Sequence, residues 1–282
     1  MCVPEYKKVL IGVAFSPNLK ANVFEALRMS AMFQSSLVIV HVGLKSTKKE
    51  ASLNNIIKEF PGLMPEYTVV WRPGAPKRVL LDACSEHGAD LLVLGALQRE
   101  GLLKYYIGSV ARKVTRKAPC DVLLLIKPSI NRVPCVFGVV NGFNHDKTDV
   151  AIYRAFNVLR SLGANKLTIV EEIPENTVDV RVDDDKGLLE STIVKERITL
   201  REKSRMDKLL DSLPGSLTSE INHNIQPIFG RRGYSIGHFA RVKRADLLIM
   251  NAPGVNSLWG RLFPHDIEYI LSDLPTDVLI VR

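Results

Sequence analysis

Residues 88–96 read GADLLVLGA, and residues 244–252 repeat this pattern as RADLLIMNA. A second match lies at the same distance, because APCDVLLLIK at 118–127 corresponds to LPTDVLIVR at 274–282. Both matches have an offset of 156 residues. A repeat at one fixed offset indicates that the chain contains two copies of one structural unit.

The beginnings of the two copies correspond less closely. VLIGVAF at 9–15 matches CVFGVVNG at 135–142 with an offset of 126, so the second copy carries about thirty additional residues. We place this inserted segment at about 171–213, between the first and fourth strands of the second copy. The predicted domains are therefore residues 1–130 and residues 131–282.

Strand signals alternate with helix signals along the first copy. The strand-like runs are KKVLIGVAF, SSLVIVHVG, YTVVWRPG, ADLLVLG and DVLLLI. A near-continuous apolar run is typical of a strand that is buried on both faces. The alternation predicts right-handed βαβ crossovers and a mostly parallel sheet with helices on both faces. We therefore predict an α/β protein made of two tandem sandwiches.

The composition limits the functional classes. The 282 residues carry a formal net charge of +8, but the basic residues are dispersed, so no nucleic-acid groove is predicted. No apolar window reaches the ~20 residues that a membrane crossing needs, and the first residues do not resemble a signal peptide. The four cysteines and six histidines show no metal-ligand spacing. We expect a cytoplasmic protein that binds no metal and spans no membrane.

A resemblance to a known family is carried by two adjoining segments, VWRPGAPKRVLLDACSEHGADLLVLGA and GLLKYYIGSVARKVTRKAPCDVLLLI. Together they resemble the second half of a universal stress protein domain. The resemblance covers nearly all of residues 5–127 and extends more weakly over residues 133–282. It implies two five-stranded, parallel, Rossmann-like sandwiches that pair within one chain, and it leaves further pairing into a homodimer open.

Nucleotide-binding members of this family carry the pattern G-x2-G-x9-G-[S/T] after the fourth strand. The glycines let backbone N–H groups approach phosphate oxygens, and the start of the next helix attracts an anion. Here Gly95 takes the first position and Gly108-Ser109 the last pair. The family also contacts adenine at the end of the second strand. The residues that the resemblance implies for binding ATP or AMP are Val42, Gly95, Arg99, Gly108, Ser109 and Val110.

The first copy differs from the family at two positions. Gln98 replaces the middle glycine of the pattern. Ala14 stands where the family has an aspartate that contributes to nucleotide and metal binding. We therefore predict no metal site and no catalytic residue.

The second copy departs further from the family. Asn251 replaces the first glycine, and Pro264-His265 replaces the final Gly-Ser. The position of the missing aspartate falls on Val140 or Asn141. Because proline has no N–H to offer an anion, we expect no nucleotide to bind this copy in the family's manner.

The inserted segment of the second copy combines apolar residues with many charges. An amphipathic helix could cover its own sheet, or it could dock a partner, and both interpretations remain open. The apolar residues concerned are Leu189, Ile193, Leu209, Leu210 and Leu213.

Three functions are compatible with these features. The first is a non-enzymatic stress-response protein that binds an adenine nucleotide in its first copy and acts through conformation or partners. Gly95 and Gly108-Ser109 favour this function. Ala14 and Gln98 favour the second, a ligand-free scaffold module. The third is a slow ATPase, which the missing aspartate makes the least favoured.

Overall fold

The computed structural model describes residues 6–98, 105–142, 148–252 and 266–282. Within these ranges the strands are β1 (Lys8–Val13), β2 (Ser36–Val42), β3 (Tyr67–Arg72), β4 (Leu91–Gly95), β5 (Leu97–Gln98), β6 (Tyr105–Tyr106), β7 (Asp121–Leu125), β8 (Phe137–Asn141), β9 (Lys166–Pro174), β10 (Asn222–Gly230), β11 (Leu247–Asn251) and β12 (Asp277–Val281). The α-helices in the same ranges are α1 (Leu19–Phe33), α2 (Thr47–Lys58), α3 (Pro76–His87), α4 (Ser109–Lys117), α5 (Thr148–Ser161), α6 (Asp185–Asp211), α7 (Gly215–Thr218), α8 (Tyr234–Val242) and α9 (Asp266–Ser272).

One continuous sheet organises the described chain, with the strand order β10-β9-β8-β11-β12-β7-β4-β1-β2-β3. Neighbouring strands are parallel except for β7 and β12, which are antiparallel. The sheet therefore consists of two five-stranded parallel halves that meet at their last strands. This confirms the predicted α/β fold, and the two sandwiches share a single sheet.

Helices on both faces explain the continuous apolar runs. Ile11 and Ile39 pack into one core, while Leu10 and Val40 pack into the core on the opposite face. Because successive side chains of a strand point to opposite faces, a sheet covered on both sides buries every residue of its central strands. Among the described residues, no helix has the length and apolarity that a membrane crossing requires.

A pseudo-two-fold axis passes between β7 and β12. Leu123 lies opposite Leu279 in this antiparallel pair. The two leucines hold equivalent places, since Asp121 pairs with Leu91 in the first half and Asp277 pairs with Leu247 in the second. Each contact across the junction is therefore made twice with equivalent backbone positions.

Asp277 anchors one side of the junction. Its Oδ1 atom accepts a hydrogen bond at 2.8 Å from the N–H of Ile126, which follows β7. Arg132, in the segment that links the halves, forms an ion pair with Asp277 and a second one with buried Glu25 of α1. The carboxylate thus connects the end of the first half, the linking segment and the second half.

Asp121 has the equivalent position on the other side of the axis. It accepts a hydrogen bond at 2.9 Å from the N–H of Arg282, just as Asp277 does from Ile126. The hydroxyl of Tyr6 donates to it at 2.8 Å, and Arg154 of α5 forms an ion pair with it at 3.0 Å. Each aspartate therefore caps the strand end of the other half.

The strand register corrects the correspondence between the first strands. Val9 pairs with Leu91, and Gly138 pairs with Leu247, so Val9 corresponds to Gly138 with an offset of 129. The sequence comparison, which aligned two glycines, had given 126. The position equivalent to Ala14 is therefore residue 143, outside the described residues, and the prediction of Val140 or Asn141 was wrong.

The additional length of the second half lies between β9 and β10. It forms the 27-residue helix α6 and the short helix α7. Asp184 begins α6 as its N-cap, where its carboxylate accepts the N–H of Gly187 at 2.7 Å. The limits of the two predicted domains remain a prediction.

The junction predicts a difference between buried and exposed ion pairs. We expect Asp277→Ala to lower the free energy of unfolding by about 3 kcal/mol, because it leaves Arg132 without its main counter-charge in a partly buried site. Urea unfolding of the full chain measures this change. The control is Glu59→Ala, which removes an exposed ion pair with Lys20 and should cost less than about 1 kcal/mol. Equal losses for both variants would contradict the prediction.

Candidate functional site

The carboxyl ends of the strands in the first half form one edge of the sheet. β1 is followed there by exposed Ala14, β2 ends at Val42, and β4 ends at Gly95. In open parallel α/β sheets this edge is where ligands bind. Two of the predicted residues, Val42 and Gly95, therefore lie at the same edge.

The helix α4 begins at this edge with Gly108 as its N-cap and Ser109 as its first residue. No side chain caps it, and its first turn contains no acidic residue. The N–H of Arg112 donates to the carbonyl of Gly108, so the N–H groups before it have no partner within the helix. Ser109 and Val110 are exposed. This end of α4 is open to an anion.

An amide side chain lies beside Gly95. A Cβ atom built on Gly95 would be 3.0 Å from Oδ1 of Asn22, which belongs to α1. That oxygen is buried, and the described part of the chain offers it no hydrogen-bond partner. Asn22 lies 73 residues before Gly95 in the chain, and no sequence pattern singled it out.

In the second half the amide lies on the strand and the small residue lies on the helix. The register places Asn251 where the first half has Gly95, and the 129-residue offset places Ala151 where it has Asn22. Oδ1 of Asn251 is also buried without a partner among the described residues. Each half therefore keeps one buried amide oxygen at the end of its fourth strand, supplied by a helix in one half and by the strand in the other.

The segment between β4 and α4 forms the hairpin of β5 and β6, in which Gln98 pairs with Tyr105. Arg99 lies outside the described residues. Ile107 follows the hairpin, and its buried backbone N–H donates to the carbonyl of Leu271 in α9 at 3.4 Å. Arg116 of α4 also pairs with Glu268 of α9 at 2.7 Å. The predicted phosphate-binding segment is thus attached to the second half.

An aromatic cluster occupies the ends of β1, β2 and β3 on the face of α1 and α2. Phe15 and Trp71 both contact the ring of His41. The Nδ1 atom of His41 lies 3.1 Å from the carbonyl of Val13, and its Nε2 atom lies 3.3 Å from Nζ of Lys49. Both ring nitrogens are engaged, so His41 is a packing residue in this arrangement.

A carboxylate occupies the equivalent edge of the second half. Leu37 pairs with Val9 and Leu167 with Gly138, so the place of Val42 falls on Glu172. Glu172 is buried and accepts hydrogen bonds from the N–H groups of Gly233 at 2.8 Å and of Ile236 at 2.7 Å. It therefore caps the start of α8. The pair of glutamates within the buried strand β9 was the signal that sequence reasoning missed.

The preceding residue, Glu171, takes the place of His41 and is also buried. Arg205 of α6 donates to it at 2.7 Å and to the carbonyl of Gly142 at 2.8 Å. Burial raises the pKa of Glu171 to about 7, although Arg205 acts in the opposite direction. Glu171 thus titrates near neutral pH at the side of an open groove of about 830 Å³ between α6 and the end of β9.

The described residues contain no group of three or more His, Cys, Asp or Glu side chains that could hold a metal ion. Cys84 and Cys120 are buried and reduced, and Cys135 is partly buried.

Comparison with known proteins identifies a family and several relatives. Residues 58–125 match the model of the universal stress protein family. Universal stress protein MJ0531 of Methanocaldococcus jannaschii is 36% identical over 55 residues, which are 20% of this chain and 32% of that protein. Universal stress protein YxiE of Bacillus subtilis is 22% identical over 151 residues, which are 43% of this chain and 99% of that protein. The chain thus spans about a third of the first relative and nearly all of the second.

The whole chain also resembles a solved structure. The functionally unknown protein PA1789 from Pseudomonas aeruginosa superposes with a TM-score of 0.71 at 16% identity, over 99% of this chain and 93% of that protein. At this identity the likeness shows the fold.

The two arrangements of the buried amide predict a compensating pair of substitutions. Gly95→Asn should lower the free energy of unfolding by about 1–3 kcal/mol, because its side chain would meet Asn22 in a filled space. Gly95→Asn combined with Asn22→Ala reproduces the second half and should recover most of the loss. Asn22→Ala alone is the control, and urea unfolding is the measurement. A double variant no more stable than Gly95→Asn would contradict the equivalence.

Glu171 predicts a pH dependence of stability. Its pKa is raised from 4.5 to about 7 in the folded state, so the folded state binds more protons than the unfolded state between these values. The free energy of unfolding should therefore fall as the pH rises from 5 to about 7 and then level off. Glu171→Gln should remove this slope in denaturant unfolding at several pH values.

The matched control is Glu202→Gln, also beside Arg205. Burial opposes the shift, but hydrogen bonds from Arg205 and Arg201 lower the pKa of Glu202. Its contribution is therefore present throughout this range and is lost only in more acidic solution, so the slope should persist in this variant. A slope that survives Glu171→Gln would exclude Glu171 as its cause.

Proposed function

The chain is a member of the universal stress protein family through the domain matched at residues 58–125, and we propose that its first half binds an adenine nucleotide. The ligand is ATP or AMP, held between Val42, Gly95 and the start of α4. Binding acts through conformation or partners and involves no catalytic step. The protein is thus a stress-response protein whose first half responds to a nucleotide.

One observation carries this proposal. The start of α4 has no side-chain cap and no acid in its first turn, and it opens at the edge where β4 ends in a glycine. A phosphate group would supply the acceptor that the first N–H groups of the helix lack. At the corresponding edge of the second half, Glu172 stands in the place of Val42 and caps α8, the counterpart of α3. Only the first half has an uncharged residue, Val42, at that place.

Asn22 lies beside Gly95 and is a candidate contact for the nucleoside part of the ligand. Its buried Oδ1 atom accepts no hydrogen bond from the described residues, and an unsatisfied buried acceptor costs about 1–3 kcal/mol. An adenosine group carries donors in its amino group and ribose hydroxyls, whereas a fully ionised phosphate carries none. Oδ1 of Asn251 is buried without a partner in the same way, so the amide does not distinguish the two halves and the start of α4 carries the proposal.

The connections of α4 give a route for a conformational signal. Arg116 and Ile107 contact α9 in the second half. A ligand that orders the start of α4 would act on a segment that spans both halves, and it would shift the population towards the arrangement it binds best.

The ligand-free scaffold remains the second candidate. It is favoured by Gln98, which stands in place of a glycine and pairs with Tyr105 in the hairpin. ATP hydrolysis is not part of the proposal, since Ala14 offers no carboxylate at the position where the family has one.

A charge substitution at the start of α4 tests the proposal. Ser109→Glu places a carboxylate at the first residue of the helix, where it should stabilise the free protein by about 0.3–1 kcal/mol. The same charge should abolish nucleotide binding by repelling the phosphates. For the unchanged protein, nucleotide at a hundred times its dissociation constant should add about 2.7 kcal/mol of stability.

Thermal unfolding with ATP, ADP, AMP and inorganic phosphate is the measurement. The matched control is Ser52→Glu, which adds the same charge on the exposed side of α2 and should leave the nucleotide response intact. Absence of any response in the unchanged protein, or an equal response in Ser109→Glu, would reject the site and favour the scaffold.

A further inference from the structure

The helix α6 has two apolar faces, although only one of them covers the sheet. On the inner face, Met206 is buried, and Leu209 and Leu210 pack against the core. On a second face, Leu189, Ile193 and Leu200 are 62%, 40% and 67% exposed. At about 100° per residue, these three side chains lie within about 40° of one another around the helix.

This division confirms that the inserted segment covers its own sheet and leaves partner docking to its outer face. Leu209, Leu210 and Leu213 contribute to the core of the second half, while Leu189 and Ile193 point away from it. A helix that only covers its own sheet has polar residues on its outer face. The outer face of α6 therefore has a property that intramolecular packing leaves unexplained.

The spacing of the outer apolar residues is that of a coiled coil. Leu189, Ile193, Glu196 and Leu200 follow one another at intervals of four, three and four residues, which is the alternation of d and a positions in a heptad. These four residues form the seam of α6, and Glu196 is its one polar member. Glu190 and Arg197 then fall at successive e positions, beside the seam.

The charges of α6 are distributed unequally along its length. Its start carries Asp183, Asp184, Asp185 and Glu190 against Lys186. From residue 195 to residue 208, six Lys and Arg residues outnumber three acids. An antiparallel partner with the same sequence would place the acidic start of each helix beside the basic part of the other.

We propose that the outer face of α6 binds the outer face of α6 in a second copy of this chain, as an antiparallel helix pair across a two-fold axis. A two-fold interface must be complementary to itself, and a helix with an acidic start and a basic end meets that condition only in the antiparallel direction. Leu189 then packs against Leu200 of the second copy, and Ile193 packs beside Glu196.

Two further ion pairs follow from this arrangement. In an antiparallel pair, e positions lie beside e positions of the other helix. Glu190 of each copy therefore lies near Arg197 of the other. Both side chains are exposed, and neither forms an ion pair within the described part of the chain. The pairing gives each a counter-charge.

Charge reversal of the flanking residues is the primary test. Sedimentation velocity of the full chain between about 1 and 100 μM should show a reversible dimer, because three apolar residues per copy form a small interface of about micromolar affinity. Glu190→Arg and Arg197→Glu should each weaken the dimer by about tenfold. The variant with both substitutions exchanges the charges and should restore the dimer to nearly its original affinity.

The polar residue in the seam allows a test in which the dimer should become tighter. Glu196→Leu completes the apolar seam and should tighten the dimer by at least about tenfold. The matched control is Leu188→Lys, which alters an equally exposed leucine outside the seam and should leave the dimer unchanged. Leu200→Lys should abolish it, and circular dichroism confirms that each variant is folded.

The direction of the helices can be tested separately. Leu189→Cys combined with Leu200→Cys should give an oxidised dimer through bonds between residue 189 of one copy and residue 200 of the other, identified by peptide mass. A bond between two residues 189 would show a parallel pair and overturn the proposal. A chain that stays monomeric at 100 μM would also overturn it, and so would a dimer whose affinity Glu190→Arg leaves unchanged.

Discussion

The antiparallel pairing of β7 with β12 is the constraint on which the rest of the molecule depends. Each of these strands begins with an aspartate, continues with four apolar residues and is buried along its whole length. At the edge of a separate half, such a strand would expose unpaired backbone groups and apolar side chains together. Pairing the two edges removes both problems at once, and Asp121 and Asp277 then fix the two strand ends. The two halves are thus parts of one sheet.

Within this symmetric frame, the two halves have diverged in how they fill equivalent space. In the first half the amide comes from Asn22 of the helix α1, and the fourth strand ends in Gly95. In the second half the amide comes from Asn251 of the strand, and the helix has Ala151. The edge of the second strand has changed in kind, because Val42 is uncharged while Glu172 caps a helix. In the second half that carboxylate caps α8, the counterpart of α3, so the edge of the second strand is bonded to a helix of the same half. The two halves therefore share one backbone frame and differ in the side chains at the carboxyl edge of the sheet.

The fold could be predicted from the sequence because it depends on repeated local patterns. Apolar runs that recur at a constant offset between the two copies predicted the strands, their parallel order and the two halves. The first strands were misaligned because Gly12 and Gly138 look equivalent, although each makes room for a different helix: Gly12 lies under Leu80 of α3, and Gly138 under Leu159 of α5. These helices cover opposite faces, and a shift of three residues moves a side chain from one face to the other. The candidate site was less predictable, since Asn22 reaches Gly95 only through the packing of α1, and since the capping role of Glu172 depends on the position of α8.

The internal pairing of the two halves also bears on how copies of the chain associate. The edges of β7 and β12 are used within the chain, so the proposed dimer uses another surface. An apolar surface present in both halves would occur twice per chain and would let copies add to one another without limit. The outer face of α6 occurs once, because the inserted segment belongs to the second half alone. A single self-complementary surface closes after two copies, and this is why an insertion in only one half of a duplicated protein suits a dimer better than a filament.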